Sequence, residues 1–426
     1  MVSGIRRQPK AAWRRHPSRS GRRVFSAATL KSGLLALVAL AAVAVTLQVS
    51  VAGVFRSSRP QLALRFAPYD AEARARLAAQ LVGAEDGAAD ARALALDAVG
   101  RDPVQPIALR VLGQGLDTGD DRSAANAMAL MLQSERLSRR DVATQLWLIE
   151  HFNTQRDPAD TIRHIDVVLR SSDDARPTVF PILDLISSDP EGRRLVLRAL
   201  AGKPNWTSAF ATFVTEAAVN LDFAAEVATM LLDARNPDDR DKYHALLGRL
   251  VQSGRPDLAW NLYTQRGLAP RGATAQSVRN GSLEAAEDGS PFDWSVVEDP
   301  ELWASRERLG EAGGYVLRLA GYNGRSGEVA RQYLNLAPGL HQMRARAGDI
   351  PAEAHERPEL RLECASGAQG RVLASVVPSG SGAAARELSA AFTVPSDCRF
   401  QRLGIHIAGD GPLKDSLPWV DDFRIN

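Results

Sequence analysis

The chain has 426 residues, 45% of them hydrophobic and 24% charged, with 52 Lys and Arg against 50 Asp and Glu. The total of +2 hides a division: nine basic and no acidic side chains precede residue 32, leaving 43 basic against 50 acidic, or −7, for the rest. A mildly acidic bulk lacks the basic face that phosphate neutralisation needs, so nucleic acid is excluded as a partner.

The first predicted element is a helix over residues 32–55, 24 residues without a charged side chain. At about 1.5 Å per residue it covers roughly 36 Å, enough for a hydrocarbon core of about 30 Å. A helix also satisfies its own backbone in lipid. The flank before it, residues 1–31 with Arg6, Arg7, Lys10, Arg14, Arg15, Arg19, Arg22, Arg23 and Lys31, reads as a basic cytoplasmic tail. Such a tail would also attract anionic lipid. Arg outnumbers Lys 47 to 5 and Ala is abundant, a bias that suggests a GC-rich bacterial genome. The predicted address is the bacterial inner membrane, single-pass, with the N-terminus cytoplasmic and the bulk periplasmic. A secreted chain after signal cleavage is the other reading. Ser50-Val51-Ala52 has small residues at suitable spacing, and Gly21-Arg22-Arg23-Val24-Phe25 faintly resembles a twin-arginine signal without its usual Leu-Lys. The long basic region and long apolar run favour retention. Both readings put everything after Arg56 in one compartment.

Residues 60–268 have helical periodicity. Apolar residues recur at three- and four-residue steps, interrupted at Asp102-Pro103, Asp157-Pro158, Asp189-Pro190 and Asn236-Pro237. A shift of 34 residues lays Ala91, Ala93, Leu94, Ala95 and Leu96 on Ala125, Ala127, Met128, Ala129 and Leu130. This period of paired helices resembles the tetratricopeptide repeat. Small residues at Ala91, Ala95, Ala125 and Ala129 would let two helices approach closely, and Gly119-Asp120 would form the turn within a unit. Residues 144–170 read as a degenerate third unit. Repeats of this kind stack into a solenoid with a concave face. That face would hold envelope proteins, or the solenoid would serve as a rigid spacer. His151 and His164 are isolated and read as helix-surface or core residues.

A linker is expected at 269–290, where Gly, Ser, Pro and Asn rise. Beyond it, strands are predicted at 315–320, 329–336, 340–347, 360–364, 372–377, 388–394, 400–408 and 419–425. Leu403, Ile405 and Ile407 alternate with Gly404 and His406, and Leu360, Leu362 and Cys364 alternate with Arg361 and Glu363. The fold class is therefore multidomain α then β: a transmembrane helix, an α-helical repeat solenoid and an antiparallel β-sandwich over 277–426. The two cysteines, Cys364 and Cys398, favour one disulfide in an oxidising compartment, two free buried thiols being the alternative.

Three short motifs carry a further resemblance. Asn280-Gly281-Ser282-Leu283-Glu284 with Phe292-Asp293-Trp294, then Gln332-x-Leu334-x-Leu336-x-Pro338-Gly339, then Asp421-Asp422-Phe423-Arg424-Ile425 stand in order over roughly a third of the chain. Together they resemble jelly-roll carbohydrate-binding modules of the galactose-binding-like fold, with Leu283 where Phe is usual. The resemblance implies glycan binding and a structural calcium held by Glu284 with Asp421 or Asp422. The same acids would otherwise cap turns. Aromatic faces would meet the sugar, which nominates Trp294, Trp303, Tyr322 and Trp419, with Asn323 and Arg325 as polar partners; Phe292 and Trp294 sit in a motif more often buried. No phosphate-binding glycine loop, Gly-x-Ser-x-Gly or HExxH sequence occurs, and the seven His are dispersed. The expected role is a non-catalytic, membrane-anchored scaffold or glycan-binding accessory in envelope or exopolysaccharide biosynthesis and export, with no cofactor beyond that calcium. A protein-interaction scaffold without glycan binding and a polysaccharide-modifying enzyme, which needs two facing carboxylates, are the alternatives.

Overall fold

The computed structural model describes residues 27–84, 87–116, 121–270, 277–311, 313–366 and 370–426. The basic tail before residue 27 and the turn expected at Gly119-Asp120 lie outside them. Among the described residues fourteen α-helices precede eleven β-strands. The helices are α1 Ala27–Phe55, α2 Pro60–Phe66, α3 Ala71–Leu81, α4 Ala88–Arg101, α5 Pro106–Gln114, α6 Asp121–Leu137, α7 Val142–Thr154, α8 Pro158–Ser171, α9 Arg176–Ile186, α10 Pro190–Ala201, α11 Thr207–Glu216, α12 Leu221–Leu231, α13 Pro237–Gln252 and α14 Pro256–Gln265. The Asp-Pro and Asn-Pro signals act as helix starts for a local reason. The Asp157, Asp189 and Asn236 side chains each accept backbone N–H bonds from the first turn, and the proline behind each lacks the N–H that would be orphaned there. Asp102 instead closes α4, and α5 starts at Pro106.

The chain divides into two compact units, up to residue 144 and from 145 onward. In the first, α1 is long and apolar enough over Leu34–Phe55 to cross a membrane, and its side chains from Leu34 to Val49 are exposed. Its last turns are different. Ala52 is 1% exposed, clustered with Ala63, Ala67 and Ala73. Beyond it, Arg56 forms ion pairs with Asp70 at 2.8 Å and Glu72 at 2.9 Å. α3 packs on α4 through Ala75, Ala78, Ala91, Ala95 and Ala98, as small residues permit. The α5–α6 pair corrects the expected register. Ala125 and Ala129 are exposed, whereas Ala127 and Met131 are fully buried. A Cβ on Gly113 would stand 3.3 Å from both of them, so the close approach falls there.

In the second unit, α7 to α14 bury Ile149, Ile165, Val168, Trp206, Phe223, Tyr243 and Leu246. Phe180 and Phe210 meet edge-on at 5.1 Å between centroids. His164 is a core residue whose Nδ1 lies 2.7 Å from Gln145 Oε1.

The strands are β1 Ser295–Val296, β2 Glu298–Asp299, β3 Leu302–Arg308, β4 Tyr315–Gly321, β5 Arg325–Leu334, β6 Gly339–Gly348, β7 Glu359–Cys364, β8 Val372–Val376, β9 Arg386–Val394, β10 Gln401–Gly409 and β11 Trp419–Ile425. They form two antiparallel sheets, β1-β5-β10-β7-β8 and β2-β3-β4-β11-β6-β9. Leu317, Leu319, Leu360, Leu362, Leu388, Leu403, Ile405 and Val420 fill the space between. Cys364, ending β7, is bonded to Cys398 in the turn before β10, as expected for one disulfide. All eight predicted strands are present; β1, β2 and β3 stand outside the prediction, the longest of them being β3. Its sequence buries only Leu302 and Ala304, while Arg306 turns onto the Tyr315 ring, 3.5 Å from its centroid.

Helices and sandwich meet inside this unit. Phe292 contacts Trp260 and Tyr263 of α14. Tyr263 donates to Asp288 at 2.8 Å, and Arg279 pairs with Asp288 at 2.5 Å. Gly289, at φ 81°, leaves space that a Cβ would fill, since it would sit 2.9 Å from His244 Nδ1. The buried Gln332 side chain bonds both backbone groups of Arg279, at 2.7 and 2.9 Å.

Candidate functional site

Two of the nominated aromatic rings cannot meet a sugar. Trp294 is 1% exposed and packs on Phe423 at 4.6 Å, with its indole N–H donating to Asn280 O. Trp419 is 4% exposed and lies flat over Gly348, where a Cβ would collide with its ring. Trp419 is inside because β11 is a central strand, between β4 and β6, and Trp294, just before β1, takes the buried position that its motif favours. Trp303 is half-buried on β3. Tyr322, Asn323 and Arg325 do come together at the turn that carries the chain from β4 in one sheet to β5 in the other, where Asn323 and Gly324 take φ of 55° and 77°, as these two residue types readily do. Their polar groups are already used by the neighbouring turn. Tyr322 donates to Pro300 O, Asn323 to Glu301 at 2.9 Å, and Arg325 to Asp299 at 3.3 Å.

The five-stranded sheet carries a different assembly on the face away from the core. Strand alternation sends Leu403, Ile405 and Ile407 inward, which leaves Arg402, Gly404 and His406 outward on β10. β7 supplies Glu359, Arg361 and Glu363 on one side, and β5 supplies Glu328, Arg331 and Tyr333 on the other. A bulge between Ile405 and His406 sets both Val329 and Ala330 into the core and keeps Glu328 on the outer face.

These groups form a continuous charged lattice. Arg402 Nη2 lies 2.7 Å from Glu363 Oε2, and its Nε lies 3.4 Å from Glu328 Oε2. Arg361 reaches Glu359 at 2.7 Å and Glu363 at 3.7 Å. Arg331 reaches Glu328 at 3.1 Å, and Ser375 on β8 donates to Glu359 at 2.6 Å. Gly404 forms the floor of this lattice. A Cβ there would stand 2.5 Å from Glu328 Oε2 and 3.1 Å from His406 Nε2. Glu328 Oε2 is buried and accepts no hydrogen bond, with His406 Nε2 3.9 Å away. At one end a cleft of about 240 Å³ is lined by Tyr333, Glu363, Arg402 and Val251 of α13.

The electrostatics follow from this crowding. Burial, then the Arg361 charge, holds the His406 imidazole below its ordinary value, against the pull of Glu328, Glu359 and Glu363. Burial would lower Arg402, yet Glu328 and Glu363 raise it. Burial pushes Glu359 up, but its bonds from Arg361 and Ser375 bring it below the usual carboxylate range. Burial raises the Tyr333 phenol. The result is a row of fixed donors and acceptors with unused lone pairs, matched to hydroxyl groups that both donate and accept. Among the described residues Tyr333 is this face's one Phe, Tyr or Trp ring and is 8% exposed, so the face offers no large stacking platform. The alternation of His406, Arg361 and Glu363 is visible in the sequence; that β5, β10 and β7 are neighbours is not, because they are far apart in the chain.

The three carboxylates nominated for calcium are placed unequally. Asp421 Oδ1 is buried without a hydrogen bond. Burial, followed by the Asp422 and Glu284 charges, pushes its carboxyl up despite the Asp422 N–H and Arg346. Glu284 accepts the Tyr315 N–H at 3.1 Å, and Asp422 pairs with Arg424 at 2.7 Å. Among the described residues no three His, Cys, Asp or Glu side chains gather as a metal cage. The orphaned Asp421 oxygen is the one feature here that fits a cation.

No protein-family model matches the chain, and no curated protein does. Solved structures similar to it match its β domain. A CBM4 structure is 15% identical over 35% of this chain and 98% of that one, with a TM-score of 0.26. The CBM22-1 xylan-binding domain of Paenibacillus barcinonensis Xyn10C is 10% identical over 37% and 96%, with a TM-score of 0.26. The CBM22-2 domain of the same protein is 15% identical over 36% and 99%, with a TM-score of 0.23. These neighbours are carbohydrate-binding-module jelly rolls.

Proposed function

We propose that this chain is a non-catalytic, membrane-anchored glycan-binding accessory protein of the bacterial envelope, acting in the biosynthesis or export of a polysaccharide. The observation that carries the binding is the charged lattice around Gly404. Its donors and acceptors are held by neighbouring charges before any ligand arrives, and the missing side chain at 404 lets Glu328 and His406 close over the strand there. Preorganised polar groups of this kind lose little freedom on binding. The motifs at 280–284, 292–294 and 421–425 support the same reading. Retention of the anchor is supported by Ala52: the residue before the one passable cleavage site is helical and packed against α2 and α3. The helices before the sandwich would be the protein-binding scaffold.

The absence of an exposed stacking ring from the lattice face favours a second reading, in which the sandwich serves only protein contacts. Full-length protein in detergent, tested against an array of bacterial and plant polysaccharides, separates the two. Binding to at least one polysaccharide is expected. No binding to any, together with recovery of envelope proteins on the helical region, supports the scaffold reading and overturns the first.

A further inference from the structure

We infer that the cleft immediately beyond α1 binds the phosphate of an anionic phospholipid headgroup in the leaflet from which the chain emerges. The inference rests on the reading of α1 as a retained membrane helix. Five arginines lie between residues 56 and 76. Three of them are neutralised: Arg56 by Asp70 and Glu72, Arg76 by Glu72, and Arg74 by Asp97. Arg59 and Arg65 have no ion-pair or hydrogen-bond partner for their side chains among the described residues, and both are exposed. The acidic groups packed nearest these arginines in the chain, Asp70, Glu72 and Asp97, are already paired with Arg56, Arg76 and Arg74.

These two guanidinium groups line one cleft of about 400 Å³, together with Ser58, Gln61 and Gln80. The lining holds donors and no carboxylate, which selects an anion. Chain continuity identifies which anion. The apolar helix ends at Phe55, so Arg59 follows it by four residues. At that distance the cleft cannot leave the headgroup layer of a membrane that α1 crosses. Its charge therefore meets phosphate at high local density, where each arginine near an anionic surface strengthens attraction about five-fold. Phe66 and Tyr69, at the end of α2 and just after it, are also exposed, as suits rings placed at a membrane interface.

The test uses the full-length protein, reconstituted in phosphatidylcholine vesicles with phosphatidylglycerol, extracted gently and examined by native mass spectrometry. Wild type is expected to retain phosphatidylglycerol in preference to phosphatidylcholine. The Arg59→Gln/Arg65→Gln chain is expected to lose that preference, by about five-fold for each charge. Arg92→Gln, an exposed arginine on α4, is the charge control and should behave as wild type. The basic tail is common to all three chains, so the difference reports the cleft. Inorganic phosphate added to lipid-free protein should not stabilise wild type over the double variant; if it does, the site is one for free phosphate and the inference falls. Equal retention by wild type and double variant on an intact, anchored chain overturns the headgroup site alone. A mature chain beginning at residue 53 removes the anchor reading and this site together.

Discussion

The Phe292 ring meets Trp260 edge-on with centroids 4.9 Å apart, and lies 5.2 Å from Tyr263. The first residue of the Phe-Asp-Trp motif thus belongs to the seam between α14 and the sandwich rather than to the sandwich core alone. Removing a buried Phe ring costs about 3–5 kcal/mol. Phe292→Ala is therefore expected to lower the denaturant midpoint of the full chain substantially. An unchanged midpoint would show that the seam adds nothing to stability.

Arg56 ties the end of α1 to α3 through Asp70 and Glu72. The pair is partly exposed, so Arg56→Gln is expected to destabilise by only about 1 kcal/mol. Its sharper effect is local: hydrogen exchange in the last turn of α1 and in α2 should quicken while that of the sandwich does not. Uniform exchange would contradict the arrangement. The same preparation gives the mass of the N-terminus, which should include α1.

Asp421 supplies a test of calcium. Its carboxyl is raised by burial and by Asp422 and Glu284, so its contribution to stability is present below the unfolded carboxylate value and lost as pH rises through the raised one. Calcium, if held there with Glu284 and Asp422, would reverse that loss. At neutral pH, chelator-treated Asp421→Asn should melt higher than chelator-treated wild type, and added calcium should raise the melting temperature of wild type only. Equal responses of both proteins to calcium would remove Asp421 from any cation site.

His244 and His406 are both held below the ordinary imidazole value, in each case first by burial. A depressed imidazole favours the neutral folded state, so stability falls as pH drops below about 6.5, where the unfolded chain binds protons first. Replacing both by Gln should flatten the stability profile between about pH 6.5 and pH 5. A profile as steep as that of wild type would place the titrating groups elsewhere.

Much of this architecture was legible because it depends on local pattern. Uncharged length marks α1, Asp-Pro and Asn-Pro mark helix starts, and Leu403, Ile405 and Ile407 mark one side of a strand. What failed depended on pairing between distant segments. Ala125 and Ala129 repeat the small residues of the first helix pair in sequence, yet Gly113 settles the contact on Ala127 and Met131. Trp294 and Trp419 carry the chemistry of sugar platforms but are covered by Phe423 and by the Gly348 strand. Glu328 gives no local sign of its place beside Arg402, because β5 and β10 are joined only by the sheet.

The most direct test of the account is the affinity of the full-length Gly404→Leu chain for whichever polysaccharide the wild type binds. The new side chain would stand on the outer face, its Cβ 2.5 Å from Glu328 Oε2 and 3.1 Å from His406 Nε2, so it displaces both from the lattice while leaving the core between the sheets untouched, and a cooperative melting transition of the variant is the check that it folds. If the lattice face holds the glycan, binding should fall at least ten-fold, equivalent to about 1.4 kcal/mol. Unchanged affinity in a folded Gly404→Leu chain would contradict the assignment of that face.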